Sequence, residues 1–235
     1  MKTIKRFYQR AESVAAEDGF AIHLDGKAVK TPGGRLLALP TAALAEAVAA
    51  EWMAQEEMVL PSSMPLTQLA STALDRVGPE RGHIQSELLK YAGTDLLCYR
   101  VDHPADLAER QAKAWQPLLD WAALALDAPL STTTTVVAVA QSAQALAALE
   151  RFIAAMDVWR LTALQSATAA MGSLILGLAL TEGRIDASQA FDLSQLDETY
   201  QIEQWGEDYE AADRRAALAA DMKAAARFLE LLRPI

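Results

Sequence analysis

The chain has 235 residues, 52% of them hydrophobic, and a formal net charge of −10. This length suits one large domain or two small ones with a core that needs no disulfide, and the acidic balance argues against nucleic-acid binding, which requires concentrated positive charge. Cys98 is the only cysteine, which excludes an internal disulfide and fits a reducing compartment.

The sequence predicts neither a secretory signal at the N-terminus nor a membrane-spanning segment. Basic residues occur among positions 2–10, but no apolar segment follows them. A long uncharged run, 161–181, has a truly apolar part of only 169–180. That is short for a membrane span and typical of a buried helix, so we expect no membrane insertion.

The first predicted structure is a β-hairpin. Two alternating apolar runs flank the Asp-Gly pair at 25–26, and this dipeptide is the strongest short hairpin signal because both turn residues adopt positive φ. A two-residue turn sets Ile22 opposite Val29, and Phe20 opposite Thr31. With a further short strand over 35–39, the pattern predicts a small antiparallel sheet.

A helix that covers this sheet is predicted next. Thr41 is a suitable N-cap, and the apolar spacing favours a helix that runs to about residue 57. Trp52 lies on its apolar face, where a core position is favoured over an interface position. The proline-containing stretch 58–64 then predicts a domain boundary.

The remainder predicts helices with short connections. Residues 94–101 and 131–139 fit either strands or irregular segments, and the sequence leaves this choice open. The predicted fold class is therefore α+β. A small N-terminal antiparallel β-sheet domain with a covering helix occupies residues 1–60, and a mainly α C-terminal helical bundle occupies residues 61–235.

The most distinctive segment is the end of a helix predicted over 187–205. Apolar residues on one stripe give way to carboxylates, amides and a tryptophan, and Gly206 then ends the helix. A small apolar centre with a charged rim is typical of a partner-binding surface, although solvated acids at a helix end would look the same. The candidate partner-binding residues are Asp197, Glu198, Gln201, Glu203, Trp205 and Glu207.

Catalytic, metal and cofactor motifs are not found in the sequence. The three histidines are far apart and form no metal-binding pair, and neither a nucleophile elbow nor a dinucleotide or phosphate-loop fingerprint occurs. Cys98 lies between Leu97 and Tyr99, which suggests an inert buried thiol. We therefore predict no enzyme, no metal and no cofactor. The alternative is a small hydrolase or lyase that uses Glu198 and Glu203.

A series of short motifs extends in order along nearly the whole chain. They are Lys5-Arg6-Phe7-Tyr8, Gly19-Phe20, Leu24-Asp25-Gly26-Lys27, Lys30-Thr31-Pro32, Leu39-Pro40-Thr41, Glu51-Trp52, Met64-Pro65-Leu66-Thr67, Thr72-Ala73-Leu74-Asp75, the segment 91–99, Gly172-Ser173 and the segment 196–207. In these motifs the chain resembles the F(1)-ATP synthase assembly chaperones that attend the alpha subunit in mitochondria and alphaproteobacteria. The chain departs from the family's sequence pattern at residues 132–135.

This resemblance implies a non-catalytic chaperone with a small α+β domain followed by a helical bundle. Such a chaperone would bind the unassembled alpha subunit, shield its subunit interface from aggregation and release it to the beta subunit. An acidic residue of the helix motif is functionally important in the family, and Glu198 matches it, with Asp197 second. Nothing in the sequence demands more than a monomer. We expect it in the bacterial cytoplasm or, in a eukaryote, in the mitochondrial matrix.

Overall fold

The computed structural model describes residues 4–17, 19–135 and 137–233. Its N-terminal part is a small antiparallel sheet region with one long helix. The strands β2, β3 and β4 pair in that order, β5 also pairs with β3, and β1 pairs with β6 in a separate ribbon. The elements are β1 Ile4–Lys5, β2 Ala11–Ala16, β3 Gly19–Leu24, β4 Lys27–Ala28, β5 Ala38–Leu39, α1 Ala42–Met53 and β6 Met58–Val59.

The predicted hairpin joins β3 to β4. Asp25 and Gly26 have φ values of 47° and 78°, which is the positive-φ pair that a tight two-residue turn requires. The Val29 amide donates to the Ile22 carbonyl at 2.8 Å, as the predicted register demands. The prediction that Phe20 lies opposite Thr31 is wrong. Strand β4 ends after two residues, and Phe20 lies opposite Leu39 of β5.

Strand β2 was not predicted, and its sequence explains why. Its residues, Ala-Glu-Ser-Val-Ala-Ala, have little intrinsic preference for a strand. Nevertheless the strand pairs with β3 over all six positions, from Ala11 opposite Leu24 to Ala16 opposite Gly19. Tertiary pairing therefore overrides local propensity in this segment.

Helix α1 covers the sheet through an apolar face. Thr41 is the N-cap, and its hydroxyl accepts from the Leu44 amide at 3.2 Å. The helix packs against β2 and β3 and ends at Met53, earlier than predicted. Trp52 is only 4% exposed, which confirms the predicted core position.

The rest of the described chain is mainly helical, and the predicted α+β class with an N-terminal antiparallel sheet is confirmed. Short 3₁₀ turns occur at Pro61–Ser63 and Leu96–Cys98, and a π-helical turn, Ala73–Val77, extends α2. The helices are α2 Pro65–Thr72, α3 Arg81–Gly93, α4 Ala105–Ala125, α5 Ala143–Ala154, α6 Val158–Met171, α7 Leu174–Thr181, α8 Ala187–Ser194, α9 Leu196–Trp205 and α10 Tyr209–Leu231. Within the described ranges no helix has the length and apolar character needed to cross a bilayer.

Internal contacts divide the described chain into two compact units. The sheet unit contains the residues up to Arg81, together with Val158–Ala163 and the residues from Arg227 onward. The helical unit contains Gly82–Asp157 and Leu164–Ala226. The domain boundary expected after residue 60 stays a prediction.

Among their described residues, the two segments that the sequence left open form no regular strand. Residues 94–101 contain the 3₁₀ turn, and Tyr99 forms one isolated parallel bridge with Thr133. Cys98 in this turn is buried, and burial, with a smaller contribution from Asp95, raises the pKa of its thiol to about 12. The thiol is therefore protonated at neutral pH, as expected for an inert cysteine.

Asp95 joins this turn to the start of α7. Its carboxylate accepts from the Ser173 hydroxyl at 2.7 Å and from the amides of Ile175 and Leu97 at 3.0 and 3.1 Å. Because the group is fully buried, desolvation raises its pKa to about 6 despite these hydrogen bonds. Asp95 is thus a structural carboxylate that fixes the 3₁₀ turn against the N-terminus of α7.

Helices α6 and α7 are separate, because Gly172 has φ 66° and ends α6. Gly177 lies inside α7, where a Cβ would clash with the Thr168 hydroxyl. A close neighbour therefore explains Gly177, whereas a change of chain direction explains Gly172.

Candidate partner-binding surface

The predicted helix 187–205 is also two helices, α8 and α9, which meet at Gln195. Asp186 begins α8 with a capping box, in which its carboxylate accepts from the Gln189 amide and the Gln189 side chain accepts from the Asp186 amide. Within α9 the buried residue is Tyr200. Its hydroxyl donates to Asp106 of α4 at 3.0 Å, so one aromatic side chain fixes α9 against α4.

Asp197 and Glu198, in the first turn of α9, are both held by side chains from other helices. Asp197 accepts a hydrogen bond from the amide of buried Gln111 at 2.8 Å. Glu198 forms an ion pair with Arg214 of α10 at 2.7 Å, and the two side chains are 27% and 64% exposed. The matched acidic residue is therefore partly buried and has a solvent-exposed counterion.

The two acids at the end of α9 have separate arginine partners. Glu203 pairs with Arg110 of α4 at 2.6 Å, and Glu207 pairs with Arg215 of α10 at 3.4 Å. The Arg215 guanidinium also lies over the Phe191 ring, 5.1 Å from its centroid. Thus the acidic end of α9 is balanced by arginines from two neighbouring helices.

An open groove of about 480 Å³ lies along α9 and the start of α10. Gly206, with φ 86°, ends α9 as predicted, and Arg214 lines the groove beside Glu198. Five of the six candidate residues line it, namely Asp197, Glu198, Gln201, Trp205 and Glu207. We call these five residues, together with Glu203, the α9 surface.

Glu203 is the candidate that does not reach the groove. Five helical positions separate it from Glu198, which rotates the two side chains apart by roughly 140° around the axis. Trp205, by contrast, is 79% exposed and lines the groove. The structure therefore places an exposed aromatic ring in the same groove as Glu198 and directs Glu203 toward Arg110.

The arginine partners were missed by the sequence analysis. Arg110 is 93 positions from Glu203 in the sequence, and Arg214 is 16 positions from Glu198. Neither spacing matches the three- or four-residue pairs that a single helix provides, so no local pattern signals these contacts. Among the described residues no group of histidine, cysteine and acidic side chains is arranged to hold a metal ion.

Comparisons with known proteins identify the family. The sequence profile of the ATP12 chaperone protein family matches residues 5–123, about half of the chain. The structure also superposes on the crystal structure of Atp12 from Paracoccus denitrificans with a TM-score of 0.93 and 44% identity, covering 97% of this chain and 98% of that one. The chain belongs to the ATP12 chaperone family.

Two further relatives place this ATP12-family chaperone among bacterial and mitochondrial proteins. The crystal structure of Atu1473, a putative chaperone from Agrobacterium tumefaciens, has a TM-score of 0.94 and 39% identity, covering 98% of this chain and 87% of that one. The mitochondrial protein atp12 of Schizosaccharomyces pombe is 24% identical over 216 residues, which are 87% of this chain and 74% of the relative. The family resemblance read from the sequence motifs is confirmed.

Proposed function

We propose that this ATP12-family chaperone serves F1-ATP synthase assembly by binding the unassembled alpha subunit. It shields the subunit interface of the alpha subunit from aggregation and releases the subunit to beta. Family membership supports assembly as the process. The observation that carries the choice of surface is the groove along α9, where Glu198, Trp205 and Arg214 lie together.

The α9 surface suits a partner that must be held and then released. Trp205 offers a large aromatic contact, and such side chains often dominate binding energy. Around it, each acid already has an internal arginine or glutamine partner, so binding exchanges one polar contact for another. Exchange of this kind gives specificity without the large apolar burial of a permanent interface.

The hydrolase or lyase alternative finds no support in this geometry. General acid–base chemistry with two carboxylates requires both groups to face one substrate position. Glu198 lines the groove beside Arg214, whereas Glu203 pairs with Arg110 and does not line it. We therefore favour a binding protein without turnover.

We further propose that the chaperone acts as a monomer and without membrane insertion. It would act in the bacterial cytoplasm or, in a eukaryote, in the mitochondrial matrix. The relatives include a mitochondrial protein and proteins of two bacteria, which supports either compartment.

A charge reversal at Glu198 tests the proposed surface. Glu198→Lys places a cation beside Arg214 and opposes a basic partner, so affinity for purified alpha subunit should fall at least about tenfold. The measurements are binding by fluorescence anisotropy and suppression of alpha-subunit aggregation by light scattering. Glu150→Lys is the matched control, since Glu150 is exposed on α5, away from the groove, and its affinity should stay within about twofold.

Two outcomes would contradict the proposal in different ways. If wild-type protein fails to bind the alpha subunit, the client is wrong. If wild type binds and Glu198→Lys binds equally well, the α9 surface is wrong while the function stands. Unfolding curves for both variants show whether the fold is intact, because losing an exposed ion pair costs at most about 1 kcal/mol.

A further inference from the structure

A second groove, on the sheet unit, is not used by the proposed function. It has a volume of about 600 Å³, and its apolar lining includes Phe7, Tyr8, Leu24, Val29, Pro32 and Trp52. We call it the Trp52 groove. The Tyr8 hydroxyl donates to the Trp52 carbonyl at 2.7 Å, and the two rings meet edge to face, so part of its wall is fixed by internal contacts.

Two large apolar side chains of this groove are exposed to solvent. Phe7 is 68% exposed and lies with its ring edge to face on Tyr8, and Ile4 is 43% exposed. Exposed apolar side chains that cluster around a cavity are typical of a binding surface rather than of ordinary surface composition. The chemistry of the groove therefore fits an apolar occupant.

The charges around the groove favour an acidic occupant. Lys27 and Lys30 line it, and within the part of the chain that the structure describes neither forms an ion pair. The acid that also lines it, Asp25, is engaged, because its carboxylate accepts from the amides of Gln9 and Arg10. Residues 1–40 carry seven lysines and arginines against four acids, in a chain whose net charge is −10.

The backbone beside the groove favours an extended occupant. Strand β4, Lys27–Ala28, is the last strand in the order β2, β3, β4, and both of its residues are exposed and line the groove. An edge strand can pair with an added extended segment. In addition, the Trp52 indole N–H is buried and has no hydrogen-bond partner among the described residues, and an acceptor that reached it would recover the cost of that unpaired donor.

We propose that the Trp52 groove binds an extended client segment in which apolar side chains alternate with acidic ones. The apolar side chains would contact Phe7 and the groove wall, and the carboxylates would pair with Lys27 and Lys30. The occupant is a polypeptide in an unassembled or incompletely folded state, since such chains expose extended apolar segments. This assigns the sheet unit its own contact with the client.

A designed peptide tests the groove directly. The probe is an acetylated and amidated nonapeptide in which leucine and valine alternate with glutamate, and the comparison peptide has lysine in place of each glutamate. Titration calorimetry should show the acidic peptide binding at least about tenfold more tightly than the basic one. Because the probe contains no subunit sequence, its binding tests the groove whether or not the α9 surface binds an alpha subunit.

Three variants locate the site. Phe7→Ala should weaken binding of the acidic peptide at least about fivefold, and Lys27→Glu combined with Lys30→Glu should abolish the preference for acidic over basic peptide. The control is Leu124→Ala, which removes an apolar side chain that is even more exposed (88%) from the helical unit and should leave affinity within about twofold. All of these side chains are exposed, so the variants should fold, which circular dichroism checks.

Three results would overturn the proposal. Equal affinity for the acidic and basic peptides would remove the charge preference. An unchanged affinity in Phe7→Ala would place the peptide elsewhere. A concentration-dependent dimer that Phe7→Ala dissociates, measured by sedimentation, would assign the groove to a second copy of the chain.

Discussion

The sheet unit and the helical unit present different chemistry to a partner. The Trp52 groove of the sheet unit combines apolar walls with lysines that have no acidic partner among the described residues. The α9 surface of the helical unit combines one exposed tryptophan with three glutamates that internal arginines already neutralise and with Asp197, which accepts from Gln111. One surface therefore gains new contacts on binding, whereas the other must exchange existing ones.

This difference separates the two surfaces experimentally. Exchange between exposed ion pairs is screened by salt, with a screening length of about 10 Å at 0.1 M ionic strength, whereas apolar burial persists at high salt. Raising the salt concentration should thus weaken contacts at α9 more than contacts made by Phe7. The variants below alter one side of the comparison at a time.

The largest expected difference in stability is between alanine variants of two tryptophans, one in each unit. Trp52→Ala removes a buried ring from the wall of the groove and should lower the free energy of unfolding by ~3–5 kcal/mol. Trp205→Ala removes a ring that is 79% exposed and should change it by less than about 0.5 kcal/mol. Urea denaturation measures both values. Equal losses would mean that the assigned burial of one ring is wrong.

Asp95 tests whether burial makes the stability of the protein depend on pH through one carboxylate of the helical unit. Its folded-state pKa, raised to about 6, lies above the ordinary aspartate value of 3.8, so the folded state holds the proton more tightly than the unfolded chain. Its contribution to stability is thus fully present below pH 4 and is lost as pH rises to 6. The loss should be about 3 kcal/mol.

The measurement compares the unfolding free energies of wild type and Asp95→Asn from about pH 3.5 to about pH 7, a range that includes both the unfolded and the folded pKa of Asp95. The variant lacks this titration, so the difference, wild type minus variant, should fall as pH rises. A difference that stays constant, or that grows with pH, would show that the hydrogen bonds from Ser173 and Ile175 outweigh burial.

The smallest expected effect comes from Arg214. Arg214→Ala removes the internal partner of Glu198, so a cation of the alpha subunit no longer has to displace it. Affinity for the alpha subunit should rise about three- to tenfold, while stability falls by less than about 1 kcal/mol. Arg227→Ala, which breaks the exposed pair with Glu230, is the control and should leave affinity unchanged. A weaker complex with Arg214→Ala would instead mean that Arg214 itself contacts the client.

Local signals predicted the parts of the fold that short-range physics determines. The Asp-Gly turn at 25–26, the Thr41 cap and the buried Trp52 each depend on a few neighbouring residues or on one helical face. Strand β2 and the break at Gln195 were missed, since the first depends on pairing with β3 and the second on how α8 and α9 pack. Neither determinant is encoded within one short window of sequence.

The candidate site was likewise predicted only where local sequence determines it. Sequence spacing identified α9 and its acids, and the family motifs selected Glu198, but the arginines that neutralise these acids come from α4 and α10. Periodicity within α9 gives no information about residues on other helices. For this reason the sequence overestimates the net charge of the α9 surface. It also does not show that Glu203 pairs with Arg110 while the other candidates line the groove.

The buried position of Cys98 makes the protein convenient for site-specific labelling. With its pKa near 12, the thiol is ionised in only about one molecule in ten thousand at pH 8, and only the thiolate reacts with maleimides. A cysteine introduced on an exposed strand or helix would therefore be the sole reactive position, with the native residue left in place. Fluorophores attached in turn at the sheet unit and at α9 could then report which surface a client reaches first.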